Sequence, residues 1–114
     1  MKRRRPVLVL EEDAQIRELL ERWLGEAGHT VSWADDQPCL VVANVPHPRR
    51  AQPFIERLRA VYAAPIIVLS ARFRRGLASS AEAARRLGVE TVLPKPFTRE
   101  ELLAAVAASI REEQ

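Results

Sequence analysis

Cysteine, histidine and long apolar runs are scarce in this sequence. Cys39 is the only cysteine among 114 residues, so the chain can form no internal disulfide, and with two histidines it cannot complete a zinc site. No apolar run approaches the roughly 20 residues that span a bilayer, and the first ten residues lack the apolar stretch of a signal peptide. We therefore expect a cytoplasmic protein with no disulfide, no zinc and no membrane partner.

An excess of one charge sign is also missing. Lys and Arg total 18 against 15 Asp and Glu, which gives a net charge of +3. The basic residues gather at positions 2–5 and at Arg72, Arg74 and Arg75, and they would meet phosphates if they shared a face. A basic nucleic-acid-associated protein is therefore one alternative. The sequence has no helix-turn-helix and no aromatic stacking platform, so solvated ends and loops are the simpler interpretation.

What the sequence does contain is an alternation of buried strands and amphipathic helices, within a length that suits one domain over residues 1–114. The continuous apolar run at 6–10 is typical of a strand buried on both faces of a parallel sheet. Helical spacing begins after Asp13, a suitable N-cap. Further strands are predicted at 30–34, 39–45, 65–71 and 89–93, and further helices at 54–62, 79–87 and 98–110. This order predicts a doubly wound α/β fold.

The connection between the second and third predicted strands is unusually short. Only residues 35–38 separate them, whereas parallel neighbours need a crossover of roughly a dozen residues. Four extended residues reach at most about 14 Å, which is less than a typical strand that must be retraced. The chain must therefore shorten one of these strands, form an antiparallel hairpin, or pass a strand to a neighbouring molecule.

Polar residues follow the predicted strands where they end. Because the carboxyl ends of parallel strands meet at one edge of a sheet, we expect these residues to lie together. Carboxylates beside a hydroxyl and an ammonium group suit a magnesium ion and a phosphoryl group. The residues are Glu11, Glu12, Asp13, Asn44, Ser70 and Lys95.

Four segments of the chain resemble the receiver domains of two-component response regulators, nearly end to end. They are VLVLEEDAQIRELL, LVVAN with Pro48 in the following loop, PIIVLSA, and LPKPFTREELL. The resemblance implies a flavodoxin-like doubly wound parallel sheet of order 2-1-3-4-5, with the second crossover helix missing or the second strand rearranged. It also implies that Glu11 and Glu12 stand at the magnesium-binding acidic pair, Asn44 at the phosphoacceptor, Ser70 at the switch hydroxyl and Lys95 at the phosphate-pairing lysine.

The sequence departs from that family pattern in three functional respects. Asn44 replaces an aspartate, and an amide has no anionic oxygen with which to attack a phosphoryl group. Glu11 and Glu12 keep the acidic charge but each adds a methylene, so we expect magnesium binding to be weak or lost. Val92 stands where the family commonly has the aromatic ring that moves when the switch hydroxyl engages phosphate.

These departures predict a degenerate receiver domain that acts as a phosphorylation-independent protein-interaction module and is not an enzyme. Its partners would be signalling or regulatory proteins. We also expect a homodimer, with Trp33 near the deletion and Val92 as contact residues, because the missing helix would uncover apolar surface. Besides the nucleic-acid alternative, a receiver phosphorylated at a non-standard residue such as Ser70 or a neighbouring carboxylate is a further one.

Overall fold

Strands and helices alternate along the described part of the chain. The computed structural model describes residues 5–34, 37–45, 50–70 and 77–110. Pro48 and both basic clusters, apart from Arg5, lie outside these residues. The strands are β1 (Val7–Leu10), β2 (Val31–Ser32), β3 (Leu40–Asn44), β4 (Ile66–Ser70) and β5 (Thr91–Pro94), and the helices are α1 (Ala14–Glu26), α2 (Ala51–Val61), α3 (Leu77–Leu87) and α4 (Arg99–Ile110). None of these helices is long and apolar enough to cross a membrane.

All five strands are parallel and lie in one sheet, in the order β2-β1-β3-β4-β5. The predicted doubly wound, flavodoxin-like sheet is thereby confirmed. Side chains alternate between the two faces of the sheet, as the period of two in a strand requires. Helices α1 and α4 cover one face, where Val9, Leu20 and Leu102 are fully buried. Helices α2 and α3 cover the other face, around Leu8, Ile55 and Leu87.

The ends of the helices are set by local hydrogen bonds. The Asp13 carboxylate accepts the first free backbone N–H groups of α1, at 2.9 and 3.2 Å, which confirms it as the N-cap. The chain leaves α1 through Gly28, whose φ of +93° lies in the left-handed region. Thr98 and Glu101 form the predicted capping box at the start of α4, with reciprocal bonds of 2.9 and 3.0 Å.

The short second connection is accommodated by a shortened strand. Val7 is the register partner of both Val31 and Leu40, so β2 and β3 begin at the same level on either side of β1. Because β2 has only two residues, the chain retraces about 3.3 Å along the sheet and crosses about 10 Å sideways, to the far side of β1. Seven intervening residues, 33–39, are long enough to cover that distance, and the described ones among them, 33–34 and 37–39, are not helical. The antiparallel hairpin and the exchanged strand are not adopted.

Candidate functional site at the carboxyl ends of the strands

The polar residues predicted to meet do lie at one edge of the sheet. Asn44 and Ser70 are the last residues of β3 and β4. Glu11 and Lys95 directly follow β1 and β5. Glu12 comes next on the loop to α1 and is exposed to solvent. The strand register therefore assembles this cluster from four segments that are distant in the sequence.

The centre of the cluster is an ion pair between Glu11 and Lys95. The Lys95 Nζ donates to Glu11 Oε1 at 2.9 Å. The Lys95 side chain is 16% exposed and the Glu11 side chain 2% exposed. The other carboxylate oxygen, Oε2, accepts the backbone N–H of Asp13 at 3.1 Å. Both oxygens of the buried Glu11 carboxylate thus have a donor within the chain, which offsets much of the cost of burying the charge.

Lys95 is held in position by the backbone on both sides. Its N–H donates to the carbonyl oxygen of Ser70 at 3.0 Å, which extends the pairing of β4 and β5 beyond their last residues. Pro94 and Pro96 flank it, and the Lys95–Pro96 peptide bond is cis. Ser70 itself is fully buried. The lysine that follows β5 is therefore paired with an acidic side chain, that of Glu11.

The donor atoms do not fit a magnesium ion well. Hard cations prefer several carboxylate or carbonyl oxygens at once. Here both oxygens of Glu11 already accept hydrogen bonds, and Asn44 offers a neutral amide. Glu12 and Asp13 present exposed carboxylates, but that of Asp13 already caps α1. Among the described residues, no group of three or more His, Cys, Asp or Glu side chains is arranged to hold a metal.

The position of Val92 differs from the sequence expectation. Its side chain is 1% exposed and packs in the core together with Ala84 and Leu87 of α3. The prediction that Val92 contacts a partner is therefore wrong, because a residue under a helix cannot reach another protein. A buried β-branched side chain also has few rotamers available to it, so this position supplies no swinging side chain.

A cleft lies beside the polar cluster, next to the short strand β2. Trp33, the residue after β2, is 41% exposed, and the guanidinium carbon of Arg17 lies 5.5 Å from the centre of its ring. We call this opening, of about 570 Å³, the β1–α2 cleft. Its lining comprises Val9, Leu10, Glu11, Glu12, Arg17, Trp33, Asn44, Val45, Arg50, Phe54 and Arg57.

The side of this cleft that α2 contributes was not predicted from the sequence. Arg50, Phe54 and Arg57 are spaced four and three residues apart, at the start of α2 and along it. Residues at this spacing lie on one face of a helix. The pattern was present in the sequence, but only the position of α2 beside β1 and β3 shows that this face borders an opening.

Sequence comparisons relate the chain to curated response regulators, although no protein-family model matches it. The Response regulator MprA of Mycobacterium ulcerans (strain Agy99) is 35% identical, and that of Mycobacterium avium (strain 104) is 34% identical. Each alignment spans 118 positions, covering 92% of this chain and 50% of the relative. The chain thus spans about half the length of the curated relatives it matches.

Solved structures with the same fold are receiver proteins. A response regulator receiver protein from Burkholderia phymatum matches with a TM-score of 0.71 and 23% identity, over 93% of this chain and 95% of that one. The chemotaxis protein CheY4 of Vibrio cholerae matches with 0.67 and 19%, over 94% and 99%. The beryllofluoride-activated NtrC receiver domain matches with 0.67 and 25%, over 99% of both chains. Together with the sequence similarity, this shared fold shows that the chain belongs to the receiver domains of two-component response regulators.

Proposed function

We propose that this receiver domain is a protein-interaction module of two-component signalling that works without phosphorylation at the usual position. The observation that carries this proposal is Asn44 at the end of β3, where the resemblance expects the phosphoacceptor aspartate. A carboxamide has no anionic oxygen with which to attack phosphorus. We assign the chain no enzymatic activity and no tightly bound magnesium, and we expect it in the cytoplasm, in line with its single cysteine.

Two further features support a domain that stays in one state. Lys95, the residue that would pair with a phosphoryl group, is already paired with the buried Glu11 at 2.9 Å. Val92 fills the core where the family commonly has a moving aromatic ring. A phosphoryl group would have to compete with an existing ion pair, and it would find no ring to draw inward.

Phosphorylation at a non-standard residue is the alternative that the structure weakens. Ser70 is fully buried, so its hydroxyl is out of reach of a phosphodonor unless the sheet edge opens. Both oxygens of Glu11 accept hydrogen bonds. The carboxylate of Glu12 remains exposed. Any adduct found on the whole chain must therefore be mapped, with Glu12 as one candidate position.

The test is incubation of the chain with Mg²⁺ and acetyl phosphate, followed by intact-mass measurement. We expect no adduct on the parent protein. The matched variant Asn44→Asp replaces only the amide nitrogen by an oxygen and so restores the anionic oxygen. An adduct on this variant alone would show that the parent is not phosphorylated because of Asn44. A stoichiometric adduct on the parent, mapped by peptide sequencing to Glu12 or Ser70, would contradict phosphorylation-independent function.

The partners we propose are signalling or regulatory proteins. A homodimer is a separate proposal, supported by the exposed Trp33 ring. Sedimentation velocity over a concentration series tests it, with the Trp33→Ala variant beside the parent. A dimer that weakens in the variant supports the proposal, and a monomer at every concentration in both proteins removes it.

A further inference from the structure

The β1–α2 cleft combines an apolar interior with a charged border. Leu10 and Val45 are apolar residues at the ends of β1 and β3, while Trp33 and Phe54 bring aromatic rings from two other segments. Its volume of about 570 Å³ falls within the range of small-molecule sites, which are mostly apolar with a few polar groups. A cleft of this size and lining suits a compact organic molecule with a flat, apolar body.

The charges around the cleft favour an anion. Three arginines border it, namely Arg17, Arg50 and Arg57. Arg17 already lies over the Trp33 ring and donates to the Glu11 carbonyl oxygen at 3.4 Å, so Arg50 and Arg57 are the main candidates to meet an anion. Of the two glutamates in the lining, Glu11 is already neutralised by Lys95, which leaves the exposed Glu12 as the opposing charge. Guanidinium groups bind carboxylate, sulfonate and phosphate groups through paired hydrogen bonds, so the excess of positive charge selects against cations and neutral compounds.

We propose that the β1–α2 cleft is a binding site for a small molecule that joins an aromatic ring system to an anionic group. The rings would lie against Trp33 and Phe54, and the anionic group would meet the arginines at the border. Binding in this cleft does not depend on whether the domain is phosphorylated. The site is therefore tested separately from the proposed function.

The probe for this site is 8-anilinonaphthalene-1-sulfonate, titrated into the folded chain by isothermal calorimetry. Its neutral counterpart is N-phenyl-1-naphthylamine, which has the same rings without the sulfonate. We expect one saturable site, with the anionic probe binding about tenfold more tightly than the neutral one, as expected for one charge-assisted hydrogen bond. Equal affinity for the two probes would refute recognition of an anion.

Two variants link binding to the cleft. Arg57→Gln removes one exposed charge from the border, and we expect the anionic probe to bind about tenfold more weakly. Arg22→Gln removes the same charge from the exposed surface of α1, outside the cleft, and affinity should stay within about twofold. Trp33→Ala should weaken both probes about fivefold. Because Arg57 is exposed, its variant should melt like the parent and remain a valid test.

Three results would overturn the proposal. The first is no saturable binding of the anionic probe to the parent. The second is the same loss of affinity in Arg57→Gln and Arg22→Gln, which would indicate general attraction of an anion to a basic protein. The third is a dimer, seen by sedimentation, that does not bind the probe. The cleft would then be covered by a second copy of the chain.

Discussion

The ion pair between Glu11 and Lys95 makes a sharp prediction about stability. In the variant Lys95→Met the side chain keeps a similar length but loses its charge. The Glu11 carboxylate, with a side chain 2% exposed, would then keep only the Asp13 N–H as a donor. Removing one partner of a buried pair costs several kcal/mol because the remaining charge is left uncompensated, and we expect a loss of about 3 kcal/mol.

That loss is large enough to measure in two ways. The unfolding entropy expected for a chain of this length is about 0.24 kcal/mol/K at the melting temperature. A loss of about 3 kcal/mol therefore lowers the Tm by about 12 °C. In urea, the midpoint should fall while the m-value stays constant, since the surface exposed on unfolding is unchanged. Far-UV circular dichroism and tryptophan fluorescence should give the same midpoint if unfolding is two-state.

The double variant Glu11→Gln with Lys95→Met separates the charge from the packing. Glutamine keeps an oxygen that accepts the Asp13 N–H, but it carries no charge that needs the lysine. We expect the double variant to recover to within about 1 kcal/mol of the parent, since neutral replacements of a buried pair are often tolerated. A double-mutant cycle on the four proteins should then give a coupling energy of about 2 kcal/mol.

The matched control is Arg86→Met on α3. Arg86 also has a carboxylate partner, Glu82, but at 3.7 Å and with side chains 78% and 59% exposed. Exposed pairs of this kind contribute less than about 1 kcal/mol. If Lys95→Met and Arg86→Met lose the same small amount, the carboxylate of Glu11 is solvated in solution. Lys95 would then be available to a phosphoryl group, contrary to the proposed function.

Three further tests of the local structure use urea unfolding. Asp13→Ala should lose about 1 kcal/mol and Asp13→Asn almost nothing, because asparagine also caps a helix; equal losses would refute the capping role. Gly28→Ala should lower the free energy of unfolding by about 1 kcal/mol, because the φ of Gly28 is +93°. Gly25→Ala, in α1 with open space around it, should raise it by about 0.5 kcal/mol. A change of the same sign in both variants would contradict the left-handed conformation of Gly28. Val92→Tyr should lose 1–3 kcal/mol, roughly, through overpacking against α3, and an unchanged midpoint would mean that the ring swings out of the core.

Much of the fold could be predicted from the sequence because local and global signals agree. The continuous apolar runs marked the strands, and Asp13, Thr98 and Glu101 marked two helix starts that the hydrogen bonds confirm. The cluster of Glu11, Asn44, Ser70 and Lys95 followed from one rule, that parallel strands end at a common edge. No distance was needed for that prediction, only the order of the elements.

The parts that the sequence left open depend on distances between elements. Residues 30–34 look like an ordinary strand, whereas only Val31 and Ser32 pair with β1 in the structure. Val92 was expected on a surface because the family position holds a mobile ring, whereas the adjacent α3 covers it completely. Among the described residues, no helix lies between Trp33 and the face of α2 that carries Arg50 and Arg57. Only this arrangement shows that the face borders a cleft.

The altered residues at this edge change the sign of its charge. In the pattern that the sequence resembles, an acidic pair and an aspartate stand together, an arrangement that attracts cations. Here Asn44 is neutral and Glu11 is paired with Lys95, while three arginines border the cleft next to the short strand β2. Electrostatic attraction follows the charges that remain unpaired, so the same end of the sheet now favours an anion. The two proposals therefore agree in direction, since both expect binding at this edge of the sheet rather than a metal-assisted reaction.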